Sequence, residues 1–265
     1  MKKFKYHSPK SLDESRKIFM SCEFPQYLAG GMTLLPSIKQ GLSSPTDLID
    51  LAYINDMKGI NEDNNNISVG SLVNHNEIAK SHLIKKYISG LAYLASKIAD
   101  NAVRNKGTLG GSICNADPAA DYPGALISLN AKVVTNSREI EARDFFIDMF
   151  ETILEEGEIV TKIIFPKANY SSYEKFSSQA SKYAIVGVFF SVLAKKASIA
   201  ITGAANKAFL IDEIEGLNIN ELQNFNLDNI NFSNYDINSD INAGYEYRIS
   251  LIKSLIKKSL ANLHL

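Results

Sequence analysis

The apolar positions change their period several times along the chain, and each change marks an element. In "SPKSLDES", Ser11 is followed three residues later by Glu14, a capping box. Leu12, Ile18 and Phe19 then give the helix it opens an apolar side. "QYLAGG" reads as a short strand, "LLPSIKQGL" as a short helix or turn ending at Gly41, and "DLIDL" as a second strand. Strand, crossover, strand predicts a small parallel β-α-β unit. A polar turn, "NEDNNN", separates that unit from "ISVGSLV". Further on, Ile84, Tyr87, Ile88, Leu91, Ala95 and Ile98 recur at three- and four-residue steps. They predict one helix over "LIKKYISGLAYLASKIAD" with one face buried. "AKVVTN" and "REIEA" read as two strands across a turn at Ser137, and "EIVTKIIFP" as another ending at Pro166. "KANYSS" marks a boundary. After it, "SYEKFSSQ", "IVGVFFSVLA" and "SIAITGAA" carry the β-branched and aromatic residues of antiparallel strands. An Asn-rich segment over about residues 218–242 leads to a last amphipathic helix, "YRISLIKSLIKKSLANL".

Composition narrows the class. A chain of 265 residues, 45% apolar and 22% charged, buries a substantial core without covalent staples. A formal net charge of −1 with no basic block argues against a nucleic-acid binder or a membrane-surface protein. No stretch approaches the roughly 18 apolar residues of a membrane helix, and the N-terminus lacks a signal-peptide core. A cytoplasmic location is the expectation. Cys22 and Cys114 are too few for a disulfide framework or an iron–sulfur cluster. His7, His75, His82 and His264 show no zinc-motif spacing, so no metal site is expected.

Two adjacent glycine pairs stand out, Gly30-Gly31 in "AGGMT" and Gly110-Gly111 in "GTLGGS". A buried diphosphate needs several donors, and backbone N–H groups supply them most compactly where side chains are missing. Thr33, Thr108 and Ser112 add hydroxyls, and a helix starting after Thr33 aims its N-terminus at an anion. Each pair also reads simply as a tight turn. Neither is a dinucleotide fingerprint or a Walker loop, since the G-x-G-x-x-G and Gly-Lys-Ser/Thr patterns are missing. A dinucleotide held between two separate glycine loops remains.

"YLAGGMTLLPSIKQGLSSPTDLIDL" and "NKGTLGGSICNADPAADYPGALISLNAKV" together resemble the FAD-binding medium subunit of molybdenum hydroxylases, the group of carbon monoxide dehydrogenase medium chains and xanthine dehydrogenase FAD-binding subunits. The likeness runs on through "DFFIDMFETILEEGEIVTKIIFP" and "YEKFSSQASKYAIVGV", covering most of residues 1–205. It implies an α+β chain: a vanillyl-alcohol-oxidase-type (PCMH-type) FAD-binding fold in two subdomains, residues 1–57 and 58–168, followed by a small C-terminal α+β domain with an antiparallel sheet over 169–265. It also implies non-covalent FAD and electron transfer without catalytic residues of the chain's own. The implied partners are a small subunit with [2Fe–2S] clusters and a large subunit with molybdopterin. The implied terminal acceptor is a quinone, oxygen or a pyridine nucleotide.

By the same resemblance, Ala29, Gly30, Gly31, Met32, Thr33, Leu34 and Leu35 form the first FAD loop, which cradles the pyrophosphate. Thr108, Leu109, Gly110, Gly111 and Ser112 form the second; Asp121 meets ribityl or ribose hydroxyls, and Val160 lies beside the isoalloxazine ring. Leu34, Leu35 and Val160 would be buried in any fold, and Asp117 also reads as a helix N-cap before "PAADYPGALISL". Met32 stands where relatives often have histidine. Ser177 and Ser178 stand where many have a cation near the flavin, leaving Lys175 and Lys182 as the nearest positive groups. Two other readings stay open: a scaffold subunit that has lost flavin, and a stand-alone flavin reductase. An exposed apolar patch is expected where the iron–sulfur subunit docks.

Overall fold

The computed structural model describes residues 3–263, so His264 lies outside the described residues. The N-terminal unit is a three-stranded parallel sheet. Strand β1 (Lys5–His7) leads into helix α1 (Leu12–Ser21), then strand β2 (Pro25–Leu28), helix α2 (Leu34–Gln40) and strand β3 (Asp47–Asp50). The order is β1-β3-β2, with both neighbours parallel to β3. The β-α-β unit read from the sequence is therefore present, extended by β1, which three mostly exposed residues gave no pattern to reveal. Ser11 caps α1 through its hydroxyl, but Glu14 reaches back to the Lys10 amide. Gly41 ends α2 in the left-handed region at φ +77°, the usual helix stop.

Strands β4 (Ile60–Glu62) and β5 (Asn66–Gly70) open a second, antiparallel sheet. A run of short helices follows: α3 (His75–Lys80), α4 (His82–Tyr87), α5 (Ser89–Ser96), α6 (Asn101–Arg104), α7 (Leu109–Asn115) and α8 (Tyr122–Ser128). The single helix expected over residues 83–100 is broken at Ile88, whose φ/ψ of −145°/60° is not helical. Its apolar face is real, since Ile84, Ile88, Leu91 and Ala95 are fully buried. The break has a tertiary cause. Ser171 sits against the start of α5, accepting from Ser89 Oγ through its carbonyl and from the Gly90 amide through its hydroxyl.

Next come β6 (Lys132–Thr135), β7 (Glu139–Glu141), the single turn α9 (Ala142–Phe145), the small hairpin β8 (Phe146–Asp148) and β9 (Glu151–Thr152), and β10 (Val160–Pro166). The second sheet runs β4-β5-β10-β6-β7 and is antiparallel throughout. A third antiparallel sheet is built from β11 (Tyr170–Ser177), β12 (Ala184–Leu193), β13 (Lys196–Thr202) and β14 (Phe209–Leu210), followed by α10 (Ile219–Gln223) and α11 (Tyr245–Ala261).

The molecule is thus a mixed helix-and-strand protein in which, among the described residues, the parallel sheet is joined by two larger antiparallel sheets and the two-stranded β8–β9 hairpin. Its largest apolar cluster joins Ile67, Leu91, Leu126 and Ile163 to Tyr173, Phe189 and Ala200, so one core crosses residue 168. A second cluster packs Val188, Phe190 and Ile199 against Ile252 and Ile256 of α11. No helix among the described residues is long and apolar enough to cross a membrane.

Candidate functional site

A cleft of about 830 Å³ opens between the parallel sheet, the helices after β5 and the start of the third sheet. That is within the usual size of a cofactor site. Ala29, Gly30, Gly31, Met32, Thr33 and Leu34 line one wall, Thr108, Gly110, Gly111 and Ser112 another, with Asp121 and Val160 nearby. Of the residues singled out in the sequence, Leu35 and Leu109 do not line it. Leu35 instead packs its side chain under Gly31, and Leu109 is fully buried.

The two glycine stretches meet. A Cβ on Gly30 would lie 2.1 Å from the Lys106 carbonyl oxygen and 2.8 Å from the Gly107 Cα, so only glycine lets the walls close. Gly31, at φ +70°, then turns the chain in a conformation that other residues adopt only with strain. The amides of Gly30, Gly31, Met32 and Thr33 find no acceptor among the described residues, and Thr33 makes no side-chain cap to α2. This loop therefore offers a run of free donors to the cleft.

The second stretch differs from the expectation of a donor loop. Gly110 and Gly111 lie in the first turn of α7, and its amides are already used. Leu109 N–H donates to Val73 O, Gly110 N–H to Ser71 O, Gly111 N–H to Thr108 Oγ1 and Ser112 N–H to Thr108 O. Its glycines provide clearance instead. A Cβ on Gly110 would strike Ser71 at 2.5 Å, and one on Gly111 would approach Thr108 Oγ1 at 2.9 Å. Ser71 itself, which the sequence reading missed, lines the cleft and is buried, and its Oγ has no partner among the described residues. Buried hydroxyls are seldom left unpaired, so a bound group with an acceptor or donor suits this atom.

Below the second stretch lies His75, also missed as a cleft residue. Its Nδ1 is 3.0 Å from the buried Tyr122 hydroxyl, and a Cβ on Gly107 would come within 2.6 Å of its Nε2. Burial, with the Arg104 charge adding to it, pulls the His75 pKa down to about 4, so the ring is neutral near pH 7.

Asp121 sits at the start of α8 but caps nothing. Its carboxylate accepts from the Tyr173 hydroxyl and pairs with Lys175 Nζ at 2.8 Å. Burial raises the Asp121 pKa, partly offset by the charge and hydrogen bond of Lys175 and by the hydrogen bond from Tyr173. Lys175 is further fixed by the carbonyls of Lys97 and Lys182. A cation is therefore beside the cleft despite Ser177 and Ser178, and Lys182 lines the cleft itself. Asp117 does not cap α8 either. Its side chain accepts from the Ala119 amide in a local turn, because α8 starts only at Tyr122.

On the far wall, Glu158 is held by Arg138 at 2.9 Å and by the Thr135 hydroxyl at 2.7 Å. Burial pushes its pKa up, but the Arg138 hydrogen bond, the Glu155 amide, the Thr135 hydroxyl and the Arg138 charge outweigh that and set it at about 2.

Comparison with known proteins identifies the group. Residues 2–168 match the family described as the FAD binding domain in molybdopterin dehydrogenase. The chain is 33% identical over 223 residues to the glyceraldehyde dehydrogenase medium chain of Sulfolobus acidocaldarius, covering 80% of this chain and 79% of that one. It is 30% identical over 270 residues to the nicotine 6-hydroxylase medium subunit of Paenarthrobacter nicotinovorans, covering 97% and 95%. A chain of the carbon monoxide dehydrogenase structure from Hydrogenophaga pseudoflava superposes with a TM-score of 0.88 at 27% identity, covering 98% and 96%. The chain belongs to the family of FAD-binding medium subunits of molybdenum hydroxylase-type complexes. It is an oxidoreductase component whose cofactor is FAD.

The cleft fits that cofactor. Free amides at Gly30–Thr33, glycine clearance on both walls and the unpartnered Ser71 hydroxyl are what a buried pyrophosphate with polar attachments requires.

Proposed function

We propose that this chain relays electrons within its complex, from [2Fe–2S] clusters on a small partner subunit to a quinone, oxygen or a pyridine nucleotide, while a molybdopterin-bearing large subunit oxidises the substrate. The observation that carries the site assignment is the run of unpaired amides from Gly30 to Thr33, closed against Gly107. In this reading Ala29, Gly30, Gly31, Met32, Thr33 and Leu34 hold the pyrophosphate, with Leu35 packed behind them, and Thr108, Gly110, Gly111 and Ser112 shape the space opposite it. Bound FAD supplies redox chemistry that exchanges electrons singly or in pairs. The chain's own residues orient and insulate it. Asp121, with one acceptor site left after Tyr173 and Lys175, receives a hydroxyl of the ribityl or ribose, and Val160 packs against the ring. The pair Lys175–Asp121 fixes a buried positive charge near the cleft without adding net charge.

The same reading takes the PCMH-type fold in two subdomains, 1–57 and 58–168, with 169–265 as the C-terminal domain. The small subunit docks on the β8–β9 hairpin, where Ile147, Met149 and Phe150 are exposed. Phe150 N–H donates to Ala116 O at the end of α7, which ties that patch to the cleft wall.

An absorption spectrum of the purified chain, before and after heat release, tests the assignment. Stoichiometric FAD in the supernatant is expected. A colourless chain that also fails to take up added FAD would overturn the site. Rapid reduction of the flavin by a reduced [2Fe–2S] partner tests the relay.

A further inference from the structure

Beside the start of β3 in the small parallel sheet, three side chains of different chemistry converge. His7 ends β1, Cys22 follows the last turn of α1, and Asp47 begins β3. A ligand atom of each, imidazole nitrogen, thiol sulfur and carboxylate oxygen, lies within 4.8 Å of the other two. We propose that His7, Cys22 and Asp47 bind one divalent transition metal ion, zinc by the chemistry of its donors, and clip the N-terminal sheet together.

The geometry favours this over a surface coincidence. Zinc bonds of about 2.0 Å to nitrogen and oxygen and about 2.3 Å to sulfur put tetrahedral ligand atoms roughly 3.3–3.6 Å apart. His7 Nε2 and Asp47 Oδ1 are now 2.7 Å apart, so they must part slightly while the thiol moves in, both within side-chain rotation. Asp47 is nearly buried, its side chain 8% exposed, and His7 is 28% exposed, which leaves the fourth position to water. The support for the ligands is already in place. Thr46 Oγ1 donates to Asp47 Oδ2 at 2.7 Å and accepts from the Phe24 amide at 3.2 Å, orienting the carboxylate. Backbone bonds from Lys5 N to Thr46 O and from Thr46 N to Phe24 O lock the three segments in register.

A nitrogen, a thiolate and one carboxylate suit zinc better than magnesium or calcium, which take oxygen ligands. Binding deprotonates the Cys22 thiol, releases that proton to solvent and replaces the His7–Asp47 hydrogen bond with two metal bonds. No sequence motif announces the site, because its ligands sit 15 and 25 residues apart on three different elements. None of the three ligands lines the flavin cleft, although the neighbouring Pro25, which pairs with Asp47, does.

Cobalt(II) substitution of the full chain tests the proposal, read as the difference spectrum with and without metal so that flavin absorption cancels. One Co(II) per chain, retained through gel filtration, with a near-ultraviolet thiolate charge-transfer band, is expected. Cys22→Ser and His7→Ala should lose the band and the metal while keeping the circular dichroism of the parent, and Cys114→Ser should keep both. A band that persists in Cys22→Ser, or metal that washes off the parent chain, overturns the site. If His7→Ala fails to fold, His7→Gln with Zn(II) stoichiometry by elemental analysis decides it, and undiminished zinc in that variant overturns the proposal as well.

Discussion

Gly30 faces the Lys106 carbonyl so closely that an added Cβ would stand 2.1 Å from that oxygen. Two peptide stretches remote in sequence are in van der Waals contact there, and the contact closes the wall of the cleft. Gly30→Ala must push the 106–107 backbone away. Overpacking of this kind costs about 1–3 kcal/mol. The expected outcome is a folded chain whose FAD affinity falls by one to two orders of magnitude, measured by flavin-fluorescence titration. Gly41→Ala is the control. It has open space around its Cβ position, so it meets only the strain of φ +77° and should leave FAD affinity unchanged.

Lys175 and Asp121 are both nearly buried, their side chains 7% and 5% exposed. Removing one member of such a pair strands the other's charge, at about 3–5 kcal/mol. Lys175→Met should therefore destabilise the chain by that order in urea unfolding. The double variant Lys175→Met/Asp121→Asn should recover most of the loss, since an amide carries no charge to strand. Additive losses in the double variant would mean that the two residues act independently.

Much of this fold is legible in the sequence because glycine, proline and period-two patterns punctuate it. Gly41 ends α2, Pro166 closes β10, and the β-branched runs at 184–202 become β12 and β13. The glycine pairs point to the cleft, since backbone clearance has few other uses. The unread parts depend on contacts between distant segments. The break at Ile88 is set by Ser171, far along the chain. The amides of Leu109, Gly110 and Gly111 are consumed by Val73, Ser71 and Thr108, and only the fold brings Ser71 and Val73 there. Lys175 reads in the sequence as merely the nearest cation, and its partner Asp121 is 54 residues away.

Glu158 and His75 both shape the acid side of the stability profile, each in its own window. The Glu158 carboxyl ordinarily titrates at 4.5 and is lowered to about 2. Stability from its bonds to Arg138 and Thr135 is thus complete above about pH 4.5 and is lost as pH falls through about 2. Glu158→Gln should narrow the gap between variant and parent across that window and leave none at its lower end. Unfolding free energies from urea titrations at pH 2.5, 3.5 and 5, roughly spanning that window, check this. A gap of constant size would mean that Glu158 contributes packing and not charge.

His75 acts at higher pH. Its ring ordinarily titrates at 6.5, but in the folded chain at about 4, because protonating it would bury a charge against Tyr122 and near Arg104. The unfolded chain therefore takes up a proton that the folded one refuses. The stability this represents is full above about pH 6.5 and drains away as pH falls to about 4, by about 3 kcal/mol in all. His75→Gln keeps a polar partner for Tyr122 and removes the titration. It should flatten the stability profile between those limits while losing some stability at pH 7. Because His75 packs beneath Gly107, behind the second wall of the cleft, flavin release should follow the same proton. Released-flavin fluorescence against pH should show a midpoint between 4 and 6.5 in the parent and a lower one in the variant. Identical release curves would separate the His75 proton from the cleft and leave acid release to other groups.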